Sequence, residues 1–311
     1  MVADAAAAAL LVSHVHWGGG TPTIVDPADF AAVMARIAER FDIRSDAEIA
    51  VEVDPRTLTP AMAAALAGAG VNRASLGIQD FNPRVQAAIN RVQSFAQTQD
   101  VVSMLRDLGI RGINRDLMYG LPFQGLDEVL ATVDRTLELG PDRISLFGYA
   151  HVTWMKTHQK MIDVAALPDG PARWHQAETA AERLTGAGYR RIGFDHFARP
   201  GDPLALALEA GKLRRNFQGY TDDAADTLIG FGASSIGSLP AGYVQNVSGL
   251  GEWRRAVEAG RFAAVRGRAL DADDRMRRDL INRLICDMTV DLDGFRDLPS
   301  APSDGFAGAL D

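Results

Sequence analysis

The feature that most constrains this chain is a strict alternation of strand and helix signals through its first half. The segment from Ser13 to Thr23, SHVHWGGGTPT, reads as a short strand running into a glycine turn. Asp26 and Pro27 then open a helix to Phe41, as N-cap and first helical residue. Strands follow at Glu48 to Val53, Ala74 to Ile78, Gly112 to Met118 and Arg143 to Phe147. Between them the 3.6-residue period places helices from Pro60, near Pro83 to Asn90, over Gln97 to Leu108 and over Leu126 to Leu139. Alternating β and α segments build a parallel sheet.

Polar residues recur at one place in each repeat. The glycine turn, Glu52, Gln79, Asp116 and the Tyr149–His151 segment all follow or end a strand, about thirty residues apart, one βα unit each. In barrels and open α/β folds the C-terminal ends of strands carry the binding site. One surface built from successive loops is therefore expected. The second half is less regular, with helices over Pro171 to Leu184, Leu250 to Glu258 and Asp271 to Cys286 and an extended segment over Tyr189 to Phe194. After Phe295 the composition shifts to Pro, Ser, Gly and Ala, as in a frayed tail.

A formal charge of -8 argues against nucleic-acid binding. No apolar run reaches the roughly 20 residues of a membrane span, and no basic signal-peptide region precedes the alanine-rich start, so a cytoplasmic protein is expected. The single cysteine, Cys286, excludes an internal disulfide and cannot hold an iron–sulfur cluster. A buried structural thiol is its expected role. His14-x-His16 could lie on one strand face, but no third ligand is near in sequence, so no metal site is expected. Gly18-Gly19-Gly20 brings backbone close to a ligand. It is neither a P-loop nor a dinucleotide fingerprint. The carboxylates Glu52 and Asp116 suit hydroxyl or ammonium donors, and Arg91 suits a carboxylate.

Eight segments in order resemble the oxygen-independent coproporphyrinogen III oxidases, a radical S-adenosylmethionine (SAM) family. They are GGGTPT, EVDPR at Glu52 to Arg56, SLGIQDFN at Ser75 to Asn82, Asn90-Arg91, NRDLMYGLP at Asn114 to Pro122, DRISLFGYAH at Asp142 to His151, GFDHFARP at Gly193 to Pro200, and RNFQGYT at Arg215 to Thr221. GGGTP marks only the broader radical SAM group; DHFARP and NFQGYT point to the oxidase. The resemblance implies a partial (β/α) barrel over 1–255 and a shortened helical segment over 256–311. It places one SAM on Gly19, Gly20, Thr21, Glu52, Gln79, Arg91, Asp116 and Ala150, and a second on Phe217, Gln218 and Ile236. It implies a [4Fe-4S] cluster, a porphyrinogen substrate, an electron donor and acceptor, and a monomer. In the family the cluster passes an electron to SAM, and the resulting 5′-deoxyadenosyl radical starts the oxidative decarboxylation of two propionates to vinyls. We expect His196, Arg199, Arg214 and Arg215 to face the propionates, because carboxylates need cationic partners.

The chain departs from the family where the cysteine loop belongs: only 17 residues precede Gly18, none of them Cys. A barrel missing its first strand and a chain of doubtful activity are therefore expected. Gly148 stands where the family usually has Asn, and Trp154 follows the motif. The alternative functions are a non-catalytic binder of SAM or a tetrapyrrole, and a haem-chaperone-like relative.

Overall fold

A computed structural model describes residues 10–291. The chain divides into two compact units, within Val2–Leu206 and Ala207–Asp311. The first holds β1 (Leu11–Trp17), α1 (Pro27–Arg40), β2 (Asp42–Val53), α2 (Pro60–Gly68), β3 (Arg73–Gln79), α3 (Pro83–Ala88) and α4 (Phe95–Asp107). It continues with β4 (Gly112–Tyr119), α5 (Leu126–Glu138), β5 (Arg143–Gly148), α6 (Gly170–Gly186), β6 (Arg190–Ile192) and β7 (His196–Ala198). Side chains cap the helices: Asp26, the expected cap, accepts from Ala28 N, and Thr59 and Asn82 accept from Met62 N and Arg84 N.

The seven strands form one curled half-barrel sheet in the order β1-β2-β3-β4-β5-β7-β6. The first five are parallel. The direction then reverses: β7 runs antiparallel to β5, and β6 antiparallel to β7. The extended segment expected over Tyr189 to Phe194 is cut to three residues by a turn at Gly193, whose φ is 56°.

Alternation along the strands sorts side chains between two faces. Val51, Leu76, Ile113, Leu117, Ile144 and Phe197 are buried against the helices, with Phe30, Leu66, Leu105, Val133 and Leu184 from the helical layer. Each such side chain contributes roughly 1.5–3 kcal/mol of transfer free energy. The opposite face carries His14, His16, Glu48, Glu52, Ser75, Gln79, Asn114, Asp116, Ser145 and His196, so that face is polar.

The second unit has a β8 (Arg214–Asn216)–β9 (Gly219–Thr221) hairpin and a three-stranded antiparallel sheet of β10 (Ile236–Leu239), β11 (Gly242–Asn246) and β12 (Ala264–Ala269). Its helices are α8 (Leu250–Glu258) and α9 (Ala272–Asp287), and α7 (Pro203–Glu209) spans the division between the units. Between the helices expected over Leu250 to Glu258 and Asp271 to Cys286, residues 264–269 form β12, which completes the β10–β11 sheet. The expected tail beyond Phe295 lies outside the described residues. Among those residues no helix is long and apolar enough to cross a membrane.

Candidate cofactor and substrate site

The glycine turn leaves β1 with Gly19 at φ 82° and Gly20 at φ 67°, conformations that favour glycine. A Cβ on either would meet nothing within 4 Å, so both present bare backbone. Gly18 differs: a Cβ there would come within 2.7 Å of Glu52 Oε1 and 2.8 Å of His16 Nε2. Gly19 N donates to Glu52 Oε2 at 3.3 Å, and His16 Nε2 lies 3.5 Å from Glu52 Oε1. Glu52 is thus held between the turn and a histidine for which the sequence suggested no role.

β3 bulges between Gly77 and Gln79, and Gln79 sits at φ 68°. Gly77 admits Arg91: a Cβ at Gly77 would lie 3.0 Å from Arg91 Nη2, which donates to Gly77 O at 2.8 Å. The same nitrogen is 3.5 Å from Asp54 Oδ1, while Arg91 Nε is buried without a hydrogen-bond partner. Burial lowers the guanidinium from its ordinary value, against the attraction of Asp54.

Asp116, on β4, accepts from Ser75 Oγ at 3.1 Å. It is opposite Ser145, which is in turn opposite His196 on β7. Burial pushes the Asp116 carboxyl up, against the hydrogen bonds of Ser145 and Ser75 and the charge of His196. His196 Nδ1 is 2.7 Å from Asp195 Oδ1. Ala150 is exposed just past β5, and its carbonyl accepts from Gln159 Nε2 at 3.0 Å.

Behind these strand ends lies a buried polar network. Asp80 accepts from Asn82 N at 2.5 Å and Gln124 Nε2 at 2.6 Å, and Gln124 also holds Met118 O. Gln176 ties Gly120 N and Gln124 O to α6. Burial pushes the Asp80 carboxyl up to about 6, with Glu128 adding to it against the hydrogen bonds. A raised folded-state value means stability is lost as pH climbs from the ordinary carboxylate range through about 6. Asp80→Asn removes that dependence. Urea titrations should show the variant gaining on the unmodified chain by on the order of 2 kcal/mol between pH 4 and pH 7.

Arg199 is not at this edge. Because β7 runs antiparallel, Arg199 follows its end at the N-terminal side of β5, where its N donates to Asp142 O. Its Nε donates to Pro141 O, beside Arg106, which donates to Leu139 O and Gly140 O. Both arginines therefore satisfy carbonyls just beyond α5. In the second unit Arg214 donates to Ala224 O and Arg215 packs over Tyr220. Phe217 and Gln218 form the β8–β9 turn, with Phe217 against Tyr243 of β11, and Ile236 starts β10.

At the N-terminal end of the polar face, a charged ring joins four residues. Arg73 Nε donates to Glu48 at 2.7 Å and Nη2 to Asp202 at 3.3 Å; Arg143 donates to Asp202 at 2.7 Å and to Glu48 at 3.2 Å. Burial alone would push Glu48 up, but Arg143 and Arg73 hold it below the usual carboxylate range. Each arginine begins a strand, the one sequence signal that could have pointed to it.

Comparison with known proteins bears on this surface. Residues 1–136 match the Radical SAM superfamily model. The chain is 55% identical over 292 residues to the oxygen-independent coproporphyrinogen III oxidase of Bradyrhizobium diazoefficiens, and 47% identical over 295 residues to that of Paracoccus denitrificans. These alignments cover 94% and 95% of the chain and 65% of each relative. The solved coproporphyrinogen III oxidase of Escherichia coli, described as a radical SAM enzyme, matches with a TM-score of 0.88 and 40% identity. That match covers 91% of this chain and 65% of the other. The chain spans just under two thirds of these relatives, and over that span it is similar to the oxygen-independent coproporphyrinogen III oxidases of the radical SAM superfamily.

Proposed function

We propose that this chain supplies the SAM- and porphyrinogen-binding half-barrel of an enzyme that converts two propionates of coproporphyrinogen III to the vinyls of protoporphyrinogen IX. The observation that carries the proposal is the convergence of the glycine turn, Glu52, Gln79, Arg91 and Asp116 at the C-terminal edge of one parallel sheet. These residues fit SAM. Gly19 and Gly20 offer open backbone, and Arg91 Nε is a buried donor lacking a partner, suited to the methionine carboxylate. Glu52 suits the methionine ammonium, and Asp116 a ribose hydroxyl. When bound and given one electron by the proposed donor, SAM would release methionine and supply the hydrogen-abstracting 5′-deoxyadenosyl radical. The protein's part is to hold the ligand by these groups and to exclude competing reactions.

The residues of this span do not fit the [4Fe-4S] cluster that the family implies. The chain has one cysteine, in the second unit. Burial, with Asp287, pushes its thiol up to about 11, which disfavours the thiolate that ligation needs. Among the described residues no three His, Cys, Asp or Glu side chains could hold a metal ion. No step is assigned through the cluster. A second SAM at Phe217, Gln218 and Ile236, an electron donor and acceptor, a monomeric state and a cytoplasmic location complete the proposal.

Two measurements test it. Reconstituted with iron and sulfide and assayed for 5′-deoxyadenosine, this chain should stay at background; turnover would show that the cluster's ligands lie within this span. S-adenosylhomocysteine should still bind. Arg91→Ala should weaken it about ten- to hundredfold, the cost of one charge-assisted hydrogen bond. Equal affinity in the variant, read by calorimetry, would remove Arg91 from the site.

A further inference from the structure

At the strand ends other basic side chains have carboxylate partners of their own. Arg56 and Arg91 share Asp54, His16 faces Glu52, and Asp195 holds His196. Arg173 differs. It lies in the first turn of α6, where the helix's partial positive charge disfavours a cation, so helix stability does not explain it. Among the described residues no carboxylate pairs with it.

Two glycines make room for its side chain. A Cβ on Gly120, at φ 79°, would come within 2.9 Å of Arg173 Nε, and one on Gly148 within 3.4 Å of Nη2. The Nη2 atom donates to Tyr149 O at 2.6 Å. The guanidinium therefore spans the C-terminal ends of β4 and β5, where Tyr119 and Gly148 are neighbours in register. Its mount is rigid. Tyr149 is buried, and Gln176, a turn further along α6, donates to Gln124 O and accepts from Gly120 N. A fixed guanidinium with one nitrogen on a carbonyl still offers a planar fork to a carboxylate.

We propose that Arg173, laid across Gly120 and Gly148 and held by the Tyr149 carbonyl, anchors a propionate carboxylate of the substrate. This rests on the porphyrinogen reading above. It moves the cationic partner at this edge from Arg199, which serves the carbonyls after α5, to a residue on α6. Gly148 acquires a purpose as well: any side chain there would meet Tyr119 Oη at 2.9 Å and crowd the guanidinium.

The test titrates coproporphyrin III, its tetramethyl ester and S-adenosylhomocysteine against the full chain and its Arg173→Ala and Arg173→Lys variants. Arg173→Ala should lose about ten- to hundredfold in affinity for the free acid. The ester and S-adenosylhomocysteine should bind as before, and Arg173→Lys should recover most of the loss. An equal loss for acid and ester would mean that Arg173 only props the Tyr149 turn. A loss confined to S-adenosylhomocysteine would assign it to the methionine carboxylate. Either result, or no loss, overturns the anchor while leaving the porphyrin reading intact. An unmodified chain that binds S-adenosylhomocysteine but no coproporphyrin would overturn the porphyrin reading and the anchor together.

Discussion

Replacing Arg115 by methionine is expected to stabilise the chain by about 1–4 kcal/mol, the range seen when buried charges give way to apolar side chains of similar volume. Arg115 is fully buried on the helix-facing side of β4, between Ile113 and Leu117. Its Nη1 donates to Asn114 O at 3.1 Å, while Nε and Nη2 have no hydrogen-bond partner. Burial, with Arg106 adding to it, lowers the guanidinium to about 9, and Asp116 and Asp142 only partly oppose it. Buried donors left unpaired cost about 1–3 kcal/mol, more when charged. Because the folded-state value lies below the unfolded one, the unmodified chain should also gain stability as pH rises above about 9, and the methionine variant should not. Urea midpoints at pH 7 and pH 10 measure both effects; a variant less stable than its parent would show that Arg115 is compensated.

Removing Asp202 should do the opposite. It receives Arg143 Nε and Arg73 Nη2, and its Oδ1 also accepts from Leu204 N. Asp202→Ala would leave two buried arginines with Glu48 as their shared carboxylate, an imbalance that costs about 3–5 kcal/mol in comparable buried pairs. Adding Arg143→Met to Asp202→Ala should recover part of the loss, because it removes one of the stranded charges. A double variant as unstable as the sum of the single changes would mean the ring is not a coupled unit. The ring closes the polar face at the end opposite Glu52 and Asp116, so these variants test the scaffold rather than the ligand contacts.

What the sequence made legible follows from how local each signal is. The βα units came from periodicity, and their strand ends placed Glu52, Gln79 and Asp116 together because parallel strands all end on the same edge. Arg91 was read from its motif, while its bond to the Gly77 carbonyl depends on a bulge that no period reveals. Arg199 falls away from this edge for a physical reason. Its motif follows a strand whose direction reverses, and reversal sends the end of β7 to the opposite edge. The charged ring was invisible because Arg73 and Asp202 are 129 residues apart. Arg173 was hidden by helical spacing, which marks it as an ordinary exposed position.

The strand-end surface is proposed to hold SAM. A crystal structure of the chain with S-adenosylhomocysteine tests it most directly. Density is expected along the Gly18–Gly20 turn, with the amino-acid end between Glu52 and Arg91 and the ribose at Asp116. Ligand bound elsewhere on the chain, with this edge left as it is in the free protein, would contradict it.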